Sequence, residues 1–449
     1  MKSTLTDTDF QHASAPLLSP LDDLARRFPG ESGARQPVHT VYGGAHLFKS
    51  DTTQKLGVLA LRALDEYAPD AMTFARAIGT PDALAERIYA RVIEKLKREP
   101  VEDFRIDFED GYGNRPDDEE DGHAAAAARE VAAGMKNGTL PPFIGIRIKP
   151  FTHELMRRSV RTMDIFLSTM LDAAGQLPPW FVVTLPKIQV PEQVTMLADL
   201  YDALEPKLGL AAGTLKLEFM IETTQSILNA QGVSNLPLFL DRARGRAVAA
   251  HFGTYDYTAS CNITAAHQRM DHPACDFARH MMQVAYSGSG LWLSDGATNI
   301  MPIAPHRGQL TPAQVEENRN VVHRAWKLHV DHINHSLINA YYQGWDLNPA
   351  QLPTRYAAVY AFFLESLGAA TERLRNFIEK AGQATLVGDV FDDAATGQGL
   401  LNYFLRAMNC GAISEAEALV TGLTLDELRS RSFVKIMKGR QKAEGRKQK

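Results

Sequence analysis

The chain predicts an α/β fold, a (β/α)8 TIM barrel followed by a C-terminal α-helical extension. Three observations carry this expectation. Seven apolar, β-branched runs alternate with helical segments, and an eighth, weaker run follows them. Runs such as "WFVVTL" and "RAVAAHFG" are apolar on both faces, as central parallel strands are when helices cover them. Beyond about residue 352 the strand signal stops and helical periodicity takes over. A doubly wound open sheet is the competing fold, but no glycine-rich dinucleotide fingerprint follows the first strand, and "YGGAHLF" is the nearest approach to one.

Taken in order, residues 1–37 form an N-terminal segment that lacks a basic region ahead of an apolar stretch, so no secretory signal is read and a cytoplasmic protein is expected. The first strand is "VHTVYG" (38–43), followed by the helical "QKLGVLALRALDEYA". The second is "FRIDFE" (104–109), where Phe104, Ile106 and Phe108 alternate with polar residues, Asp107 and Glu109 among them, before the chain breaks into Asp110, Gly111, Tyr112 and Gly113. The acidic "DDEED" (117–121) reads as a solvated loop feeding a helix start. "FIGIRIK" (143–149), "WFVVTLPK" (180–187), "LKLEFMIE" (215–222), "RAVAAHFG" (246–253) and "GLWLSDG" (290–296) follow, with helical segments such as "PEQVTMLADLYDALEPK" between them. "AYYQGWDLNP" (340–349) is the eighth and closes a barrel spanning 38–352. Residues 353–435 read as helical, with Ser414 three residues before Glu417 at capping-box spacing. The tail "KIMKGRQKAEGRKQK" has seven basic residues and one acid; over 436–449 it is expected to be solvated and disordered, contact with an anionic ligand or a neighbouring subunit being the alternative.

Composition narrows the class. At 449 residues the chain has room for one large core with additions. With 45% hydrophobic and 22% charged residues and no long uninterrupted apolar run, no membrane span is expected. A formal net charge of −5 argues against nucleic acid as a partner. Cys261, Cys275 and Cys410 are widely separated and show no zinc or disulfide spacing.

In a parallel barrel the C-terminal strand ends share one face, and chemistry is built there. The second strand ends in Glu109 and Asp110, the third supplies Arg147, the fourth Lys187, the fifth Glu222, and the turn after the sixth Asp256. Carboxylates gathered on one face repel one another unless a cation is present, and hard oxygen ligands suit Mg2+ or Mn2+. Glu222 and Asp256 are the expected metal ligands, with Glu109 and Asp110 ordering the metal's waters. Arg147 offers a planar fork for a carboxylate or an enolate oxygen. Lys187 either does similar work or forms a structural ion pair with a strand-end acid. Asp295, in "WLSDG", is a candidate base, a turn role for the Asp-Gly pair being the alternative. His251, inside an apolar strand, reads as a core histidine, and His267, His272 and His280 show no metal spacing.

In order along the chain, "FEDG" (108–111), "RIK" (147–149), "LPK" (185–187), "IET" (221–223), "GTYD" (253–256) and "WDLNPAQL" (345–352) resemble the motifs of the HpcH/HpaI aldolase and citrate lyase β-subunit family, within the pyruvate/phosphoenolpyruvate barrel superfamily. The resemblance covers about residues 38 to 352. It implies a (β/α)8 barrel with Mg2+ on Glu222 and Asp256, Arg147 holding an oxo acid, and aldol-type cleavage or condensation through a metal-stabilised enolate. The substrate would be a 2-oxo acid, a 3-hydroxy acid or its CoA thioester, and the protein a homo-oligomer. The chain departs from the family at "RIKP", where asparagine is usual, and at Asn348, where histidine is usual. Two other readings stay open: phosphoryl transfer or hydrolysis on a phosphoenolpyruvate-like substrate, and a catalytically silent barrel subunit.

Overall fold

The computed structural model describes residues 4–30, 34–379, 385–387, 390–392, 394–430, 432–433, 435–436 and 439–440. Eight parallel strands close in chain order: β1 (His39–Gly44), β2 (Asp103–Asp107), β3 (Phe143–Arg147), β4 (Val182–Leu185), β5 (Lys216–Ile221), β6 (Ala247–Phe252), β7 (Trp292–Ala297) and β8 (Gln343–Asp346). Closure comes from β1 pairing with β8, His39 opposite Gly344 and Val41 opposite Asp346. All eight expected strands are present, the weak last one included. All but β1 are shorter than the apolar runs, so Glu109 and Lys187 stand beyond strand ends in the turns that follow.

The two-residue alternation of a strand sorts its side chains between two environments. In β2, Phe104 and Ile106 join Ile144, Ile146, Val183, Leu217, Phe219 and Ile221 in the apolar layer beneath the helices. Asp103, Arg105 and Asp107 have the opposite phase. Because β2 and β5 are not neighbours in the sheet, the bidentate pair of Arg105 with Glu218, both contacts 2.7 Å, spans the lumen. Asp103 also pairs with Arg105 and accepts from Thr40 at 2.7 Å. Thr184 donates to Glu218, and His251 Nε2 lies 3.1 Å from the same carboxylate, which makes it the satisfied core histidine expected. Here polar, charge-paired residues occupy a lumen that bulky aliphatics usually fill.

Outside the strands, the helix Leu352–Glu379 buries sixteen residues, among them Tyr356, Phe363 and Leu374, and packs on Thr52–Tyr67, Ala85–Arg98 and Pro312–Ile338. The first part of the expected extension therefore completes the barrel's helical ring. A two-stranded antiparallel hairpin, Thr385–Val387 with Val390–Asp392, interrupts a region expected to be wholly helical. The capping box of Ser414 and Glu417 is present at the helix Glu415–Leu419. The "DDEED" run is not a loop but the first turn of the helix Asp117–Asn137, where acids face the unpaired N–H groups and the positive end of the macrodipole. Residues Asp7–Arg27 form a helix with a Thr6 capping box, two internal prolines and no buried residue. Of the basic tail, residues 437–438 and 441–449 lie outside the described residues. Among the described residues no helix is long and apolar enough to cross a membrane.

The closure seam rests on a buried carboxylate. Asp346 meets Arg355 at 2.8 and 3.0 Å, His39 Nδ1 at 2.7 Å and His329 Nε2 at 3.1 Å. Burial opposes its ionisation, but Arg355 and the two histidines outweigh that and hold Asp346 well below the usual carboxylate range. With the folded value depressed, the stability this carboxylate contributes is complete above the unfolded value of about 3.9 and is lost as pH falls towards the folded one. Asp346→Asn is expected to lower stability at neutral pH by about 3 kcal/mol, because Arg355 would stay buried without its counter-charge. Urea midpoints measured from neutral to acid pH should converge for wild type and variant. A constant gap across that range would contradict this reading.

Candidate active site

The turn after β2 is shaped by Asp107. Its carboxylate accepts from the N–H groups of Glu109 at 3.0 Å and Gly111 at 2.7 Å, folding "FEDG" back over the strand end. The same carboxylate takes Arg147 side-on, Nε at 2.7 Å and Nη2 at 2.5 Å. Arg147 is 2% exposed, and its remaining nitrogen, Nη1, stands 3.0 Å from Glu109 and 4.0 Å from Asp110. Its guanidinium carbon lies 4.8 Å from the Tyr42 ring and 5.4 Å from the Trp345 ring, so two aromatic faces fix its plane.

Lys187 follows β4 with a left-handed backbone, φ +50°, a conformation that costs about 1–3 kcal/mol in a non-glycine residue and is typical of functional turns. The turn aims its N–H at Glu222, 2.8 Å away, and its ammonium among Glu109, Asp110 at 3.0 Å and Asp256 at 3.2 Å. Glu222, directly after β5, is backed by Gly253, where a Cβ would stand 2.5 Å from the Glu222 carboxylate and 2.6 Å from its Cβ. Only glycine lets the end of β6 approach so closely.

The cluster carries an excess of acid: Asp107, Glu109, Asp110, Glu222 and Asp256 against Arg147 and Lys187. Burial, then Asp256 and Glu109, push Glu222 well above the usual carboxylate range despite Lys187 and Arg147. Burial raises Glu109 as well, in spite of its two cationic neighbours. Burial opposes the charge of Lys187 too, but Glu222, Glu109 and Asp110 outweigh it and hold the ammonium protonated. Asp110 is lowered: burial is overcome by Lys187 and Arg147. The site opens outward, from Arg147 at 2% exposed to Asp256 at 42% and Asp110 at 59%.

Six of the expected residues, Glu109, Asp110, Arg147, Lys187, Glu222 and Asp256, thus come together. Asp295 does not. It lies on the opposite phase of β7 from Ser294 and Gly296 and faces the helices, where Arg279 holds it at 3.0 and 3.2 Å and Ser336 donates at 2.6 Å. A carboxylate engaged behind the strand cannot meet a substrate in front of it, so the base role expected of Asp295 has no support in this geometry. Sequence reading passed over Asp107 as a site residue, although it shares the phase of Glu109, and missed the tilted Tyr42–Trp345 pair, which joins β1 to β8 with ring centroids 4.2 Å apart. His46, after β1, was missed as well. Its Nδ1 is buried without a hydrogen-bond partner, its ring lies 5.6 Å from Tyr112 and 6.1 Å from His123, and burial with nearby Arg115 lowers its pKa. Lys149, in "RIKP", donates to the Phe108 carbonyl at 2.6 Å and pairs with Glu120 at 2.8 Å, bracing the acidic turn from behind.

A family model described as a domain of unknown function, DUF6986, matches residues 19–436. The chain belongs to this family. No curated protein matches it. Among solved structures, a citrate lyase from Burkholderia xenovorans LB400 is similar with a TM-score of 0.55 at 18% identity, over 86% of this chain and 97% of its own. A malate synthase from Haloferax volcanii, as a magnesium/glyoxylate complex, gives 0.48 at 14% identity over 89% and 99%. The likeness of the DUF6986 chain to the lyase is one of fold.

The raised Glu222 has a consequence for the DUF6986 protein without metal. When an acid's pKa is higher folded than unfolded, the folded state holds the proton more tightly, and stability falls as pH rises from the unfolded value of about 4.3 towards the folded one. Glu222→Gln, a mimic of the protonated form, should exceed wild type in stability at pH 8 by on the order of 1–3 kcal/mol. The gap should shrink towards pH 4. Denaturant midpoints in the presence of a chelator test this, and a variant no more stable than wild type at pH 8 would count against it.

Proposed function

We propose that this protein is a Mg2+-dependent carbon–carbon lyase or aldolase of the citrate lyase-like type, acting on a 2-oxo acid, a 3-hydroxy acid or its CoA thioester. The observation that carries the proposal is the unbalanced acid cluster around Lys187, set beside an arginine whose plane is fixed by Asp107 and two aromatic rings. A silent barrel has no use for a concentration of carboxylates that raises the pKa of its own glutamate. The name of the lyase of similar fold supports the same class.

The donor set fits magnesium. The oxygens are hard, Glu222 and Asp256 are both tied to Lys187, and Gly253 leaves the space beside Glu222 clear. Among the described residues no group of three or more His, Cys, Asp or Glu forms a ready metal cage, and magnesium asks for only one or two carboxylates with waters completing its shell. Glu222 and Asp256 would hold the ion, with Glu109 and Asp110 ordering its waters. When bound, it supplies Lewis-acid stabilisation of an oxo or enolate oxygen.

The chain's own residues do the remaining work. Asp107 takes the Nε–Nη2 edge of Arg147 and leaves Nη1 directed at the acid cluster, where the substrate's oxygen would enter. In cleavage the hydroxyl proton leaves to a base and the carbonyl forms. The electrons of the breaking carbon–carbon bond pass to the α-carbon and on to its carboxyl or thioester oxygen. Arg147 is placed to stabilise that charge through a hydrogen bond stronger in the transition state than in the ground state. Lys187 restrains Glu109, Asp110 and Asp256 so that they converge on one point.

Calorimetric titration of Mg2+ into metal-free protein, with and without pyruvate, oxaloacetate or glyoxylate, tests the proposal. Mg2+ binding should strengthen in the presence of an oxo acid and vanish in the Glu222→Ala/Asp256→Ala double variant. Arg147→Lys, which loses the planar fork, should keep Mg2+ binding and weaken the oxo acid's effect by about tenfold or more. Absence of Mg2+ binding by wild type under all these conditions would overturn the proposal in favour of a silent barrel.

A further inference from the structure

A groove on the outside of the helical ring gathers cations away from the acid cluster. It runs along the seam between the helices Ala71–Ile78 and Pro312–Ile338 and has a volume of about 460 Å3, within the range typical of small-molecule sites. Helical periodicity makes both of its walls. On the shorter helix Phe74, Ala75 and Ile78 are buried, and Thr73 and Arg76 line the groove. On the longer one Val322, Ala325 and Trp326 are buried, and Asn320, His323, Arg324 and Lys327, spaced i, i+3, i+4 and i+7, form one stripe along it. Beneath the seam Phe74 meets Trp326 edge-on with ring centroids 5.6 Å apart, and the indole N–H of Trp326 donates to the Ala350 carbonyl at 2.7 Å, so the core holds the two walls in place.

The charges of the groove define what would fit. Arg76 and Arg324 line it from opposite walls, both are exposed, and neither has a hydrogen-bonded or ion-paired partner among the described residues. Lys327 is the third cation. Its side chain lies across the end of the shorter helix, where Gly79 takes φ +78° and a Cβ would stand 3.0 Å from the Lys327 Cε; its ammonium pairs with Asp331, one turn along its own helix. His323 donates from Nε2 to the Tyr67 carbonyl at 2.8 Å and stacks on Trp326. Acids at the starts of the two helices are engaged: Asp70 accepts from the N–H and hydroxyl of Thr73, and Glu316 accepts from Arg319 and Asn320. Two guanidinium forks beside an ammonium exceed what one carboxylate can occupy, whereas a phosphate brings a second charge and several acceptor oxygens. Ala77 is the one apolar residue of the lining among the described residues, so the groove is suited to the anionic group itself rather than to an apolar body attached to it.

We propose that this groove binds phosphate, free or as the phosphate group of a small molecule, held by Arg76 and Arg324 from its two walls with Lys327 as the third cation. The site shares no residue with the acid cluster, and the proposal does not depend on the activity assigned there.

Calorimetric titration of the metal-free, full-length protein at pH 8 and low salt with inorganic phosphate, pyrophosphate and glycerol 3-phosphate, beside acetate, tests it. At least one of the three phosphates should bind saturably with a Kd of about 1 mM or tighter, and acetate should bind at least tenfold more weakly. Arg76→Gln and Arg324→Gln should each weaken binding by about tenfold, with unchanged circular dichroism. Arg129→Gln, which removes an exposed charge from the helix Asp117–Asn137, should bind as wild type does, and so should Glu222→Ala/Asp256→Ala. Tighter binding of inorganic phosphate or pyrophosphate would assign the groove to the free anion, and tighter binding of the ester to a phosphorylated small molecule. No saturable binding by any of the three, equal binding of acetate, full affinity in a folded Arg76→Gln or Arg324→Gln variant, an equal loss in Arg129→Gln, or loss of binding in the double variant would each overturn the proposal. Should one groove variant fail to fold, the other, with the Arg129→Gln comparison, decides.

Discussion

Charge balance inside a closed barrel is the constraint on which the remainder of this structure depends. The lumen is lined by alternate residues of eight strands, and in this chain many of those residues are ionisable. An unpaired charge there would cost several kcal/mol, so each acid needs a cation or a hydrogen-bond donor. At the lower level Arg105 serves Asp103 and Glu218, with Thr40, Thr184 and His251 taking further lone pairs. The pair Arg105–Glu218 crosses the barrel and ties two strands that share no backbone hydrogen bond. Burial works against ionised Glu218, yet Arg105 and His251 hold it well below the usual carboxylate range. Asp103 beside it is raised instead, by burial and by Glu218, in spite of Arg105.

The upper level has the larger excess of acid. Arg147 and Lys187 face five carboxylates, and the deficit falls on Glu222, a buried acid whose contact with Lys187 runs through a backbone N–H. The contrast between the levels gives the site its direction. With two carboxylates on one arginine in the middle and five on two cations at the C-terminal mouth, the larger electrostatic cost stands at the mouth. The tilted Tyr42–Trp345 pair beside Arg147 and the left-handed turn at Lys187 both remove freedom from the cations of this level. At the opposite mouth the C-terminal helices cover the strand starts.

Much of this was legible in the sequence because barrel strands carry two signals at once. The apolar phase of "FRIDFE" or "LKLEFMIE" announces burial under helices, and the acids at the strand ends announce the site. Glu109, Asp110, Arg147, Lys187, Glu222 and Asp256 could be collected from strand ends alone, since parallel closure sends all those ends to one face. Tyr42 and Trp345 could not, because their meeting needs β1 beside β8, a pairing of residues about three hundred positions apart. Asp295 shows the limit of strand-end reasoning: one step of phase turns a carboxylate from the lumen to the helices, and neighbouring glycine and serine give no apolar pattern from which to read that phase. The helix Asp7–Arg27 was hidden for a related reason, since prolines at 16 and 20 mask its periodicity and nothing in the described structure buries its apolar side chains.

By itself, then, the sequence determined the barrel, the order and number of its strands, the face that holds the acids and six of the residues gathered there. Local periodicity and the right-handed βα rhythm suffice for these, because each depends on neighbours within a few turns of chain. Tertiary structure alone decided which acid bears the excess charge, which carboxylate faces away and what clamps Arg147. Those features depend on distances between side chains brought together from several strands and helices, and on how deeply each is buried, which no local pattern encodes.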